Sequence, residues 1–194
     1  VSMKVKGKKG EQVSLRFAEV LKEDGLLYMD NIRGAIVTDT YTLKGTGEES
    51  WEPSFVYHGF RYVEIKGFPG IPTVNDFEGK VVYDEMEVTG HFETSDPLIN
   101  RIYNNAYWGI RGNYRGMPTD CPQRDERMGW LGDRAAGSHG ESFVFDNYHL
   151  YVKWLDDIEQ TQLENGSLSD VAPAYWAFYG DNMTWPAAYL IIAN

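Results

Sequence analysis

The chain has 194 residues, with 18 Lys and Arg against 29 Asp and Glu, a formal charge of −11 at pH 7. That balance would repel a phosphate backbone, so no nucleic acid partner is expected, and a neutral or cationic ligand suits it better. An apolar share of 42% with 24% charged residues marks a folded chain rather than a disordered one, and the length allows one generous domain or two small ones. The single Cys121 can form neither an internal disulfide nor a thiolate metal cage. No apolar run approaches the ~20 residues of a bilayer span, so no membrane partner is expected. The chain opens on Val1 and closes on the apolar run 185–194 without a Gly or basic stop signal, which reads as a piece of something longer. Compartment and oligomeric state stay open.

In chain order, the first half shows period-two alternation. Val13, Leu15 and Phe17 alternate with polar neighbours, as do Tyr41 and Leu43, and Tyr62, Val63 and Ile65 extend a run from Phe60. Glycines punctuate these segments at the short spacing of an all-β sandwich. From Ser95 the period changes: Leu98, Ile99, Ile102, Tyr103, Ala106, Tyr107 and Ile110 fall three and four apart, predicting an amphipathic helix with Ser95 as N-cap and Pro97 in its first turn. Further helices are predicted over 133–147 and 149–162, the latter with Leu150, Trp154, Leu155 and Ile158 on one face and a stop at Asn165-Gly166. The domains expected are therefore 1–93 and 94–194. No internal repeat is present.

Between the first two helices, Gly116 to Gly132 has almost no apolar periodicity, and so long a loop is commonly functional. Its stretch from Pro118 to Asp133 holds four carboxylates (Asp120, Asp125, Glu126, Asp133), two arginines (Arg124, Arg127) and Trp130. Such a mixture suits a polyol: carboxylates accept from hydroxyls, guanidinium groups donate, and an indole covers an apolar ring face. Crowded carboxylates also push their pKa values apart, leaving one protonated to serve as a general acid. The same residues would equally serve as a surface loop of mutually paired charges and helix caps.

The run Asp120-Cys-Pro-Gln-Arg-Asp-Glu-Arg-Met-Gly-Trp-Leu-Gly-Asp133, preceded by Met117-Pro-Thr119, closely resembles the signature of bacterial α-L-rhamnosidases, glycoside hydrolase family 78. Trp51-Glu-Pro-Ser-Phe-Val-Tyr-His-Gly-Phe-Arg-Tyr-Val-Glu-Ile65 and Glu19-Val-Leu-Lys-Glu-Asp-Gly25 resemble stretches of the β-sandwich that precedes the catalytic domain in that family. The resemblance implies a concanavalin-like β-sandwich followed by the first helices of an (α/α)6 six-hairpin barrel, the chain being a fragment of both. It implies hydrolysis of terminal α-linked L-rhamnose with inversion, on a rhamnose-containing oligosaccharide or glycoside, without a cofactor. Glu126 matches the family's general acid, and Asp120, Arg124 and Asp133 match residues that contact rhamnose hydroxyls. Trp130 matches an aromatic wall facing the 6-deoxy methyl group. Trp185 matches a second wall less closely, because Ala187 stands where many relatives carry an acidic residue; a packed residue at a helix start is the other reading. The family's general base and a partnering His lie downstream of residue 194, and the stretch after Ser95 is long enough for only three or four of twelve helices. The fragment by itself is therefore expected to be inactive.

Two alternatives stay open: a six-hairpin glycosidase for another deoxy or pentose sugar, and a carbohydrate-binding protein that does not cut. His58, His91, His139 and His149 never reach metal-ligand spacing, so no metal site is assigned. Cys121 reads as packed rather than nucleophilic, and Asp125 as a partner for a neighbouring arginine. Tyr175, Trp176, Phe178 and Tyr179 could either fill a core or line a substrate mouth.

Overall fold

The computed structural model describes residues 1–175, 178–180 and 182–194, so Trp176 lies outside the described residues. Two compact units are present: 1–82 together with 122–125, and 83–121 together with 126–194.

The first unit is a β-sandwich. Strands β1 (Ser2–Lys6), β6 (Glu48–Trp51) and β8 (Phe77–Glu78) form one antiparallel sheet in the order β6-β1-β8. Strands β2 (Gln12–Ala18), β5 (Thr38–Thr42) and β7 (Tyr62–Lys66) form the other in the order β5-β2-β7, and β3 (Val20–Leu21) pairs with β4 (Leu27–Tyr28) as a small ribbon. The predicted alternation sets the inward face: Val13, Leu15 and Phe17 of β2 are buried and meet Met3 and Val5 of β1 in one core with Ile32, Val37 and Leu43. At one corner, buried Glu49 accepts the Tyr41 hydroxyl (2.7 Å) and the backbone N–H groups of Lys44 (3.0 Å) and Gly45 (2.8 Å).

The second unit is helical. α1 (Pro97–Arg111) is the long amphipathic helix expected, but its N-cap is Asp96, whose carboxylate accepts the Leu98 N–H at 2.8 Å. Ser95 lies one residue too early, because Pro97 already occupies the first helical position. Leu98, Ile99 and Ile102 on its apolar stripe are exposed. The single helix predicted over 133–147 is two short ones, α2 (Leu131–Ala135) and α3 (Ser138–Glu141). Gly132, Gly137 and Gly140 weaken a continuous helix. α4 (Tyr148–Glu159) buries Tyr151, Trp154 and Ile158, and with Leu131, Ala172 and Ala188 of α5 (Ala188–Ala193) these make the helical core. Residues 83–93 are irregular, and their hydrogen bonds go to the helical unit: Asp84 N–H to Tyr114 O, Thr89 and Gly90 N–H to Val144 O, and Glu87 O from Asp146 N–H. Among the described residues no helix is long and apolar enough to cross a membrane.

The Glu49 site links this fold to pH. The Lys44 N–H first, then the Tyr41 hydroxyl, hold the Glu49 carboxyl below its ordinary value of 4.5. A carboxylate depressed on folding contributes stability above its unfolded pKa and loses it as pH falls through the folded one. Glu49→Gln is therefore expected to lower the thermal midpoint at pH 7, with the difference from the parent narrowing as pH falls below 4.5, read from melts across a pH series.

Candidate active site

The signature loop closes on itself. Asp120 donates its N–H to Met128 O (3.0 Å), and its Oδ1 accepts the Met128 N–H (2.8 Å). Arg127 makes the return turn at φ 57°, a left-handed conformation that costs a non-glycine residue about 1–2 kcal/mol and is found disproportionately at functional sites. This closure brings the Glu126 carboxylate to Asp120: one oxygen of each, with the Cys121 sulfur, all lie within 4.8 Å of one another. Cys121 is buried, as a packed residue would be. These three atoms are the one grouping of His, Cys, Asp or Glu ligand atoms among the described residues dense enough to hold a cation.

The far side of the loop is pinned by a short antiparallel bridge between Trp130 and Val171. Leu131 N–H donates to Asp170 O, and Ala172 N–H to Gly129 O, each at 3.0 Å. A Cβ at position 129 would stand 1.9 Å from Ala172 O, so only glycine allows this approach. Trp130 is thereby fixed, and Phe178 meets its ring edge-on at 4.8 Å and 85°. Trp185 lies so close over Gly132 that a Cβ there would sit 2.5 Å from its ring, and the Asn182 side chain, bonded to Asp170, accepts the Trp185 backbone N–H at 2.9 Å. Trp185 is thus packed against the residue next to Asp133. Asp120 Oδ2, Trp130 Nε1 and Trp185 Nε1 are buried with no hydrogen-bond partner among the described residues. One acceptor and two donors left unpaired are what a hydroxyl-rich ligand could satisfy.

Asp133 completes the acidic group. Its side chain reaches solvent, yet its carboxyl is raised above the ordinary 3.8, first by loss of hydration and then by the charges of Asp120 and Glu126. Arg124 belongs to the sandwich unit, within 122–125, whereas the other five candidates belong to the helical unit.

Behind the loop lies a buried polar network that the sequence reading did not single out. Arg134 donates to Glu141 at 2.6 Å and, through Nε (3.3 Å) and Nη2 (2.8 Å), to the carbonyl of Thr119. Glu141 also accepts the hydroxyls of Tyr114 (2.5 Å) and Tyr151 (2.7 Å). Burial, and then the Glu141 charge, push both phenols well above the ordinary tyrosine range, so they stay donors. The signal was present: Leu131, Arg134, Ser138 and Glu141 fall at helical spacing and all are buried, so two opposite charges sit on an inward face.

Residues 87–194 match the bacterial α-L-rhamnosidase six-hairpin glycosidase domain, and residues 1–83 the bacterial α-L-rhamnosidase concanavalin-like domain. The chain belongs to the bacterial α-L-rhamnosidase family. An α-L-rhamnosidase of Streptomyces avermitilis is 46% identical over 174 residues, covering 90% of this chain and 17% of the relative. An α-L-rhamnosidase structure from Dictyoglumus thermophilum superposes with a TM-score of 0.96 at 49% identity, over 99% of this chain and 22% of that one. The Streptomyces avermitilis α-L-rhamnosidase complexed with L-rhamnose superposes with a TM-score of 0.92 at 43% identity, over 96% and 18%. The chain thus spans about a fifth of the length of these rhamnosidases, and its architecture of sandwich followed by six-hairpin helices is theirs.

Two outcomes follow from the geometry. A carboxyl raised on folding destabilises the fold once pH rises through the window above its unfolded value; Asp133→Asn is expected to melt above the parent at pH 7, the gap closing as pH falls towards 3.8. Breaking a buried pair strands a charge at a cost of roughly 3–5 kcal/mol. Glu141→Gln should lose about 3 kcal/mol in urea unfolding, and the double change Arg134→Met with Glu141→Met should lose less than either single Met change.

Proposed function

We propose that the protein containing this chain is an inverting α-L-rhamnosidase and that this segment supplies its general acid and much of its sugar-binding wall. The division into a sandwich and the opening helices of the barrel, expected at 93/94, is part of the same reading, with residues 83–93 joined to the helical side by their hydrogen bonds. The observation that carries it is the closed loop holding Glu126 beside Asp120, with the indoles of Trp130 and Trp185 fixed along the same stretch. Glu126 would protonate the departing glycosidic oxygen. Asp120 Oδ2 and Asp133 would accept from sugar hydroxyls, Arg124 would donate, and the two indoles would cover the apolar face and the 6-deoxy methyl group.

Asp120 is not the second catalytic carboxylate in this reading. Its oxygen lies within 4.8 Å of that of Glu126, whereas an inverting pair stands roughly 6.5–9.5 Å apart to admit a water on the opposite sugar face. The base is assigned to residues outside these 194. A rhamnose-containing oligosaccharide or glycoside is the substrate class, in keeping with the L-rhamnose complex of the Streptomyces avermitilis relative.

The test is hydrolysis of aryl α-L-rhamnoside, α-L-fucoside and α-L-arabinoside side by side by the full-length protein, with proton NMR of the first-formed sugar. Rhamnoside should be preferred, and the β-anomer should appear first. Glu126→Gln should lower kcat by about 10²–10⁴. The loss should be larger for an alkyl aglycone than for p-nitrophenyl, whose departing oxygen needs less protonation. The 194-residue chain alone should show no turnover. Preference for another sugar, or binding without cleavage by the full-length protein, would overturn the assignment.

A further inference from the structure

We propose that the sandwich unit fixes the stretch 122–125 of the signature, with Gly59 and Arg33 as positioning residues for Arg124; the proposal rests on the functional reading above. The chain enters the sandwich unit for only four residues, Pro122 to Asp125, before Glu126 resumes the helical unit. That span is held at both its ends. At the first, Gly59 donates its N–H to Pro122 O at 3.0 Å, and the two backbones are so close that a Cβ at 59 would stand 2.9 Å from the Pro122 ring and 3.1 Å from its carbonyl carbon. At the last, both Asp125 oxygens are engaged: Arg33 Nε donates to one at 2.8 Å and Gly34 N–H to the other at 3.3 Å.

Each anchor is rooted in the sandwich core. His58, just before Gly59, stacks on Phe17 at 4.2 Å and 16°, and its Nε2 is 3.0 Å from Asp39, with both side chains about nine-tenths buried or more. Phe17 belongs to the buried centre of β2. Arg33 follows the 3-10 turn Asp30–Ile32, whose Ile32 is buried in the same core, and it leaves that turn at φ 57°. A left-handed arginine is retained only where its surroundings over-determine it. The ion pair itself is half exposed and weak; what it adds is a fixed end for a span whose next-to-last residue is Arg124 and whose successor is Glu126. Asp125, a neighbour of the acid, therefore works as an anchor on the sandwich and not as a sugar contact.

The experiment uses the full-length protein, with steady-state kinetics on aryl α-L-rhamnoside and amide hydrogen exchange. Gly59→Ala wedges a methyl group against Pro122 and should cost about tenfold or more in kcat/KM, with KM raised as well as kcat lowered, since small misplacements of reacting groups are expensive. Arg33→Ala and Asp125→Ala should each cost about two- to fivefold, and the double change no more than the worse single one, because both remove one contact. Exchange at Gln123, Arg124 and Glu126 should accelerate while β2 stays protected. Unchanged KM and kcat in folded Gly59→Ala and Arg33→Ala proteins would overturn the proposal, and so would additive losses in the double change. If the parent turns over no rhamnoside, the functional reading fails separately, and exchange decides: acceleration confined to 122–127 sustains the positioning role, and unchanged exchange overturns it.

Discussion

A guanidinium and a carboxylate that meet at 2.6 Å inside the helical unit, Arg134 and Glu141, govern how the signature loop can fold. Removing both charges from water costs several kcal/mol per ion, and their mutual attraction recovers this only when the remaining donors and acceptors are satisfied. Here they are: Glu141 accepts two phenols as well as the guanidinium, and Arg134 donates twice more to one carbonyl. The residue that owns that carbonyl is Thr119, immediately before Asp120, and Arg134 itself immediately follows Asp133. Any shift of the loop would strand a buried charge. An apolar replacement of the same volume could hold the helices together equally well, but it would tolerate sliding, and polar geometry does not.

The loop needs that rigidity because its carboxylates repel one another. Asp120, Glu126 and Asp133 crowd their charges, and left free they would swing apart into water; the Asp133 carboxyl is raised first by loss of hydration and then by that repulsion. The backbone opposes it with contacts too close for any side chain, Gly129 on Ala172 and Gly132 under Trp185. Stability is thus lowered at the chemical groups and supplied by the packing behind them, the usual relation between active sites and their scaffolds.

Much of this was legible in the sequence where a residue's environment depends on near neighbours. Alternation at Val13, Leu15 and Phe17 placed β2, and three-four spacing placed α1 and α4, because burial of one face is a local property of strand and helix. The signature loop stood out for lack of periodicity together with its density of charge. What stayed hidden was decided by distant partners. The break between α2 and α3 follows from three glycines, which were visible, and from Arg134 turning inward to Thr119, which was not. Trp185 lies far along the chain from Gly132, and nothing in either residue announces that one covers the other. Asp125 and Glu126 are adjacent and chemically alike, yet the first anchors on Arg33 and Gly34 while the second faces Asp120; only the path of the backbone separates their tasks.

That separation explains why the signature is a contiguous run and not a scatter of single residues. In Asp120 to Asp133, Cys121, Met128, Gly129 and Leu131 are buried, Pro122 and Asp125 are fastened to Gly59, Arg33 and Gly34, and Arg127 makes the turn. Those anchors occupy the places between Asp120, Arg124, Glu126, Trp130 and Asp133, so that nearly every candidate side chain has a fixed residue beside it. A free carboxylate on a long loop would lose its position to conformational entropy of about 1–2 kcal/mol for each residue left unfixed. Interleaving anchors with the candidate groups removes that freedom one residue at a time, and this is how a stretch with almost no regular secondary structure can hold the Glu126 carboxylate in place.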